Sequence, residues 1–151
     1  MHQTSKGAGS GARALWVLLA HTLVAPFLAA LMVLLLVGLA HATGRLPAHL
    51  LARLPDLPAD TMLVSSRIAL AGYVWSAIPA AVTGLGLAGV AFAQGRYSWL
   101  VAVVVAAVVA TSCAVITGGI LLAHVTEIAL IAAVSALGVR HVLQAAGLLG
   151  G

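Results

Sequence analysis

Glu127 is the only acid inside an apolar run of this 151-residue chain. An ionisable group at membrane depth is costly, which makes it a functional candidate by default. If the last apolar helix starts just after Gly118-Gly119, Glu127 lies about eight residues from its end. That is ~12 Å deep at 1.5 Å per residue. His124 sits three residues earlier, on the same helix face. The pair so placed is a candidate proton or ion site, the chemistry of a small proton-coupled transporter. A turn at 123–126 instead puts Glu127 at a helix N-terminus, near water and favoured by the dipole.

Four of the six histidines, His21, His41, His124 and His141, lie in or beside apolar runs. A membrane b-type haem takes axial histidines, here from facing helices at one depth. His21 with His141, and His41 with His124, are the pairs that four antiparallel spans bring to common levels. Haem is therefore the one cofactor for which the sequence offers ligands, as a minor alternative to none. No HExxH pairing, phosphate loop or nucleophile elbow occurs. The chain is read as a non-enzyme with no catalytic residue and no metal site. Cys113 is the single cysteine, with no cation near it in sequence to activate it. Thr111, Ser112, Cys113 and Thr117 suit hydrogen bonds across helices or back to their own turn.

The elements that must position these groups are transmembrane helices. Hydrophobic residues make up 63% of the chain and charged residues only 7%, against about 25% charged in a soluble domain. That excludes a soluble enzyme, a nucleic-acid binder and a disordered chain. The ten charges fall between apolar runs, as topology determinants do. A crossing helix needs about 20 apolar residues. The pattern predicts an all-α polytopic membrane protein, a four-helix bundle with spans at about 14–40, 62–93, 98–117 and 120–139. Residues 1–13 read as a disordered basic tail ahead of a single membrane domain, 14–151. Ala40-His41-Ala42 has the form of a signal cleavage site. The preceding run is far longer than a signal core of about 7–15 residues, so an uncleaved span is expected.

The loop 41–61 contains Pro47, Pro55 and Pro58. Between the first two, Ala48 to Leu54 can form a surface helix, with Leu50, Leu51 and Leu54 to lipid and His49 and Arg53 to water. Arg67 lies near the start of the second span, where it can snorkel. Tyr97 and Trp99 fit an interfacial aromatic belt. In the preferred register Arg140 and His141 mark the far interface. With four spans, Lys6, Arg13, Arg96 and Arg140 share one side, against Arg45, Arg53 and Arg67 on the other. Four against three favours both termini in the cytoplasm.

The second span carries a stripe of Gly72, Ser76, Pro79, Thr83, Gly86 and Val90, in alternating steps of four and three. Small residues let helices approach closely in lipid, so the stripe reads first as a helix-packing seam. The seam supports association with itself or with a larger membrane complex, which leucine at Gly72 or Gly86 should disrupt. The other use of such a stripe is to line a cavity at a proline bend. Pro79 frees the Trp75 carbonyl, which Ser76 or water could satisfy. Pro26 is expected to bend the first span likewise.

Residues 72–84, GYVWSAIPAAVTG, are similar to a GYxxxxIPAxxTG pattern of small multi-span inner-membrane proteins of proteobacteria. The resemblance rests on Gly72, Tyr73, Ile78, Pro79, Ala80, Thr83 and Gly84. It implies a bacterial inner-membrane location and leaves function open. Size and span count are also similar to those of small multidrug-resistance transporters. Those carry an essential carboxylate in the first span, where this chain has His21 and no acid.

The leading functional expectation is thus a non-enzymatic helix-packing or accessory subunit, whose partners are the lipid bilayer and other membrane chains.

Overall fold

A computed structural model describes residues 4–44, 61–118 and 124–149. The described residues contain helices α1 (Thr4–Ala42), α2 (Thr61–Gln94), α3 (Trp99–Thr117) and α4 (Val125–Ala145). Each contains a stretch long and apolar enough to cross a membrane, of 32, 26, 19 and 21 residues. The protein is an all-α, multi-pass membrane protein. The proposed surface helix at 48–54 lies outside the described residues.

The helices close a ring. α1 packs on α2, α2 on α3, α3 on α4, and α4 returns to α1. The loop 95–98 is too short for anything but antiparallel neighbours. One end of the bundle, the loop end, thus gathers the start of α1, residues 95–98 and the finish of α4. Gly95 opens the loop at φ +75°, a left-handed conformation that suits glycine. Ser98 then caps α3, its hydroxyl accepting from the Val101 N–H at 3.2 Å.

Two sides of each helix are apolar, so residue size rather than polarity separates inside from outside. On α3, Ala102, Ala106, Ala110 and Ala114 are buried, one turn apart. Val104, Val108, Val115 and Ile116 face outward. On α1, Val17, His21, Ala25 and Ala29 point in, at steps of four. Small residues inside allow close helix approach, and large ones outside meet lipid chains.

Three expectations need correction. The tail is not wholly outside the fold: α1 begins at Thr4 and continues into the span without a break. A preformed span removes the nucleation cost for the turns added to it, and the Arg13 guanidinium ties the extension to the Gly95 carbonyl at 3.0 Å. Second, α4 does not occupy 120–139 but runs from Val125 to Ala145. Third, α4 continues past Arg140, yet Arg140 still reaches the loop end, because its Nε donates to the Tyr97 carbonyl at 3.3 Å. The extra turn stays packed, with Leu143 2% exposed.

Gly95 supplies a stability prediction. A Cβ there would lie 3.0 Å from Arg13 Nη1, on top of the unfavourable φ. Gly95→Ala should cost about 1–2 kcal/mol from the left-handed backbone alone. Unfolding in detergent checks it; an unchanged midpoint would mean that the loop is not held in this conformation.

Candidate functional site

The sequence candidates separate in space. Glu127 lies in the first turn of α4 and His124 is the residue capping it. Their side chains are 59% and 60% exposed, with His124 Nδ1 3.8 Å from Glu127 Oε1. The expectation of a carboxylate ~12 Å deep is corrected. The helix starts five residues later than the preferred register had it, which leaves Glu127 at the end of the bundle. There it complements the positive pole of the helix dipole.

His124 and His141 are exposed, and His21 is fully buried. The side chain of His41 lies outside the described residues. The described histidines therefore do not converge in the interior as a haem pair requires. No group of three or more metal-ligating side chains occurs among the described residues.

His21 does line a space. A cavity of about 270 Å³ lies at the centre of the bundle, touched by all four helices. Its walls include His21, Ala25 and Ala29 of α1, and Gly72, Trp75, Ser76, Pro79 and Thr83 of α2. Ala106 and Ala110 close it from α3, and Ile128, Ile131, Ala132 and Ser135 from α4. The first four residues of the stripe expected to form a packing face, Gly72, Ser76, Pro79 and Thr83, line this cavity. The fifth, Gly86, is turned to α3, where an added Cβ would be 3.7 Å from Val105 Cγ1. Gly72 also approaches Ala30 of α1, at 3.6 Å from an added Cβ. The contacts shown at these glycines are thus within the chain.

The small-residue faces explain why space remains. Alanine at four-residue steps on α1 and α3 leaves no side chain long enough to fill the centre. The second span is held against α1 by Gly84, whose added Cβ would be only 3.0 Å from His21 Cβ. Ser76 does not serve the Trp75 carbonyl. Its hydroxyl donates to the Gly72 and Tyr73 carbonyls at 2.7 and 3.1 Å. A helical serine reaches back three or four residues, not one.

The chemistry of the cavity comes from two polar atoms. His21 Nδ1 lies 2.9 Å from the Val17 carbonyl oxygen. A carbonyl only accepts, so Nδ1 carries a proton, and in the neutral imidazole Nε2 then presents a lone pair. Nε2 is buried without a hydrogen-bond partner among the described residues, and so is Ser135 Oγ. Both residues line the cavity, one from α1 and the other from α4. Leaving such a group unsatisfied costs about 1–3 kcal/mol, so each is a binding opportunity for whatever occupies the space.

A third buried polar atom without a partner among the described residues is the Tyr97 hydroxyl. Tyr97 is not a lipid-facing belt residue: it is 4% exposed, and its ring stands edge-on to His21 at 6.3 Å. The loop is drawn in because Arg140 binds its carbonyl. Burial pushes the Tyr97 phenol up to about 12, the nearby Arg140 guanidinium opposing only part of the shift. An unfolded tyrosine ionises near pH 10. Folding therefore favours the neutral phenol. This contribution is fully present below about pH 10 and is lost as pH rises through about 12. A phenolate absorbance titration, wild type minus Tyr97→Phe, should show this group ionising well above pH 10. A midpoint near 10 would contradict its burial.

Sequence reading singled out His21 only as a haem ligand and missed Ser135. A signal existed for His21, which continues the step-of-four series with Val17, Ala25 and Ala29. For Ser135 there was none beyond a lone hydroxyl in an apolar run. The chain matches no protein-family model, no curated protein and no solved structure.

Proposed function

We propose that this is a non-enzymatic intramembrane binding protein that takes a small apolar molecule bearing one hydroxyl group into the centre of the bundle. The observation that carries this reading is that His21 and Ser135, whose Nε2 and Oγ have no hydrogen-bond partner among the described residues, line one cavity. A hydroxyl satisfies both kinds of group: it donates to the imidazole lone pair and accepts from the serine. The remaining wall is almost wholly aliphatic and aromatic, which selects an apolar body. An apolar cavity of ~150 Å³ holds benzene. On that scale 270 Å³ holds about ten non-hydrogen atoms, the size of an alkylphenol. A haem or a whole phospholipid is too large.

Charge supports the finer placement. Lys6, Arg13, Arg96 and Arg140 at the loop end against Arg45, Arg53 and Arg67 favour a bacterial inner membrane protein with both termini cytoplasmic.

Trp75 reports on the cavity because it lines the wall. Trp16 and Trp99 are more than half exposed, and Trp16→Phe/Trp99→Phe leaves Trp75 as the sole tryptophan. Para-propylphenol should then shift Trp75 fluorescence saturably, at one equivalent per chain. Propylbenzene should bind at least about fivefold more weakly, one hydrogen bond being worth roughly 1 kcal/mol. A response that only grows linearly with detergent loading, for both compounds, would sink the proposal and leave the polar atoms to ordered water.

A further inference from the structure

A second feature, separate from the cavity, lies at the loop end. Two guanidinium groups from different helices are fixed on one short loop. Arg13 of α1 donates from Nη1 to the Gly95 carbonyl at 3.0 Å. Arg140 of α4 donates from Nε to the Tyr97 carbonyl at 3.3 Å, and from Nη1 to Gln144 Oε1 at 2.7 Å. These carbonyls belong to residues two apart, so they are at most about 7 Å from one another along the chain. Arg96, between them in sequence, is exposed.

Ordinary snorkelling cations are mobile and solvated. Arg13 and Arg140 are half-buried and tied down. A guanidinium has five N–H donors. Arg13 gives one to the described protein and Arg140 gives two, leaving the rest of each fork available. Nothing among the described residues neutralises the cluster. Glu127, the one acid among them, stands at the opposite end of α4. Asp56 and Asp60 belong to the segment joining α1 to α2.

The loop joins two candidate spans, one ending at Gln94 and the next starting at Trp99. That is headgroup level, where basic pockets between helices hold lipid phosphates. Exposed apolar residues lie close to the cluster in sequence: Trp16, Phe92 and Trp99. They offer acyl chains a surface next to the charges, which a free anion does not need. We propose that Arg13, Arg96 and Arg140 bind the phosphate of an anionic phospholipid. The planar guanidinium fork matches a phosphodiester in two-bond geometry.

The test is native mass spectrometry of the full chain in mild detergent, with phosphatidylglycerol and phosphatidylcholine added together. Phosphatidylglycerol adducts should dominate. Each surface charge is worth roughly fivefold in lipid affinity. Arg13→Gln/Arg140→Gln should therefore cut the preference by about 20-fold or more. Should that variant fail to fold by circular dichroism, Arg96→Gln carries the test, because its side chain is exposed. A drop of about fivefold supports the site, and wild-type preference in this variant overturns it. Equal binding of the two lipids also overturns it. A further arm adds inorganic phosphate at millimolar concentration. Adducts that persist identify the lipid, and displacement by phosphate alone would assign the cluster to a soluble anion instead.

Discussion

Gly84→Leu is expected to lower stability by about 3 kcal/mol, the upper part of the range for overpacking a tight contact. A Cβ at this position would stand 3.0 Å from His21 Cβ and 3.2 Å from the Leu18 carbonyl oxygen. The second of these is backbone and cannot rotate aside. Any side chain must therefore push α2 away from α1, the seam that holds His21 beside the cavity. The control is Gly72→Ala. There the new methyl would meet Ala30 at 3.6 Å, an ordinary contact. Gly72→Ala should be neutral, or gain up to about 1 kcal/mol from helix propensity. The same holds for Gly138→Ala to a lesser degree: its Cβ would be 2.9 Å from Leu28 Cδ1, the movable tip of a side chain. Unfolding by denaturing detergent, with helicity as the readout, ranks the three. Equal effects at Gly84 and Gly72 would show that the α1–α2 contact is not where the structure puts it.

His21→Leu should separate stability from binding. No group among the described residues satisfies His21 Nε2. An isosteric apolar residue removes that penalty, so the variant should be more stable by about 1–3 kcal/mol. The Val17 carbonyl loses little, because it retains its own helical bond. Selectivity changes in the opposite sense. With the acceptor gone, para-propylphenol should lose about 10-fold or more in affinity, and propylbenzene should be unaffected or bind better. Ser135→Ala should act in the same direction with a smaller effect, since the hydroxyl of the ligand keeps its stronger partner. If His21→Leu instead destabilises the protein, Nε2 already has a partner, such as a bound water, and the cavity is a solvated structural site.

The two effects follow from one feature of membrane packing. Small residues bring helices together, and the same residues, placed at every turn, leave a void that larger side chains would fill. Gly84 and the alanines of α1 and α3 define the seam and the space beside it.

Sequence alone determined the solvent of this protein, the number of its crossings and most of their ends. Composition and run length do so because leaving charged residues out of four long apolar runs has no other physical outcome. The small-residue stripe through Gly72, Ser76, Pro79 and Thr83 was also legible, since it repeats with the helical period. What that stripe faces was not. With lipid outside and packing inside both apolar, no polarity contrast marks the buried side of a helix, and only the neighbouring helices decide it. The start of α4 depended likewise on tertiary contacts. Gly118-Gly119 offered a turn, but the helix begins at Val125, and that shift moved Glu127 from a deep site to an exposed helix end. Tyr97 and Ser135 became part of the interior through contacts more than 40 residues apart in sequence, such as Arg140 Nε on the Tyr97 carbonyl, |i−j| = 43. Local sequence carries no record of such pairings, because the energy that fixes them exists only after the four helices have closed their ring.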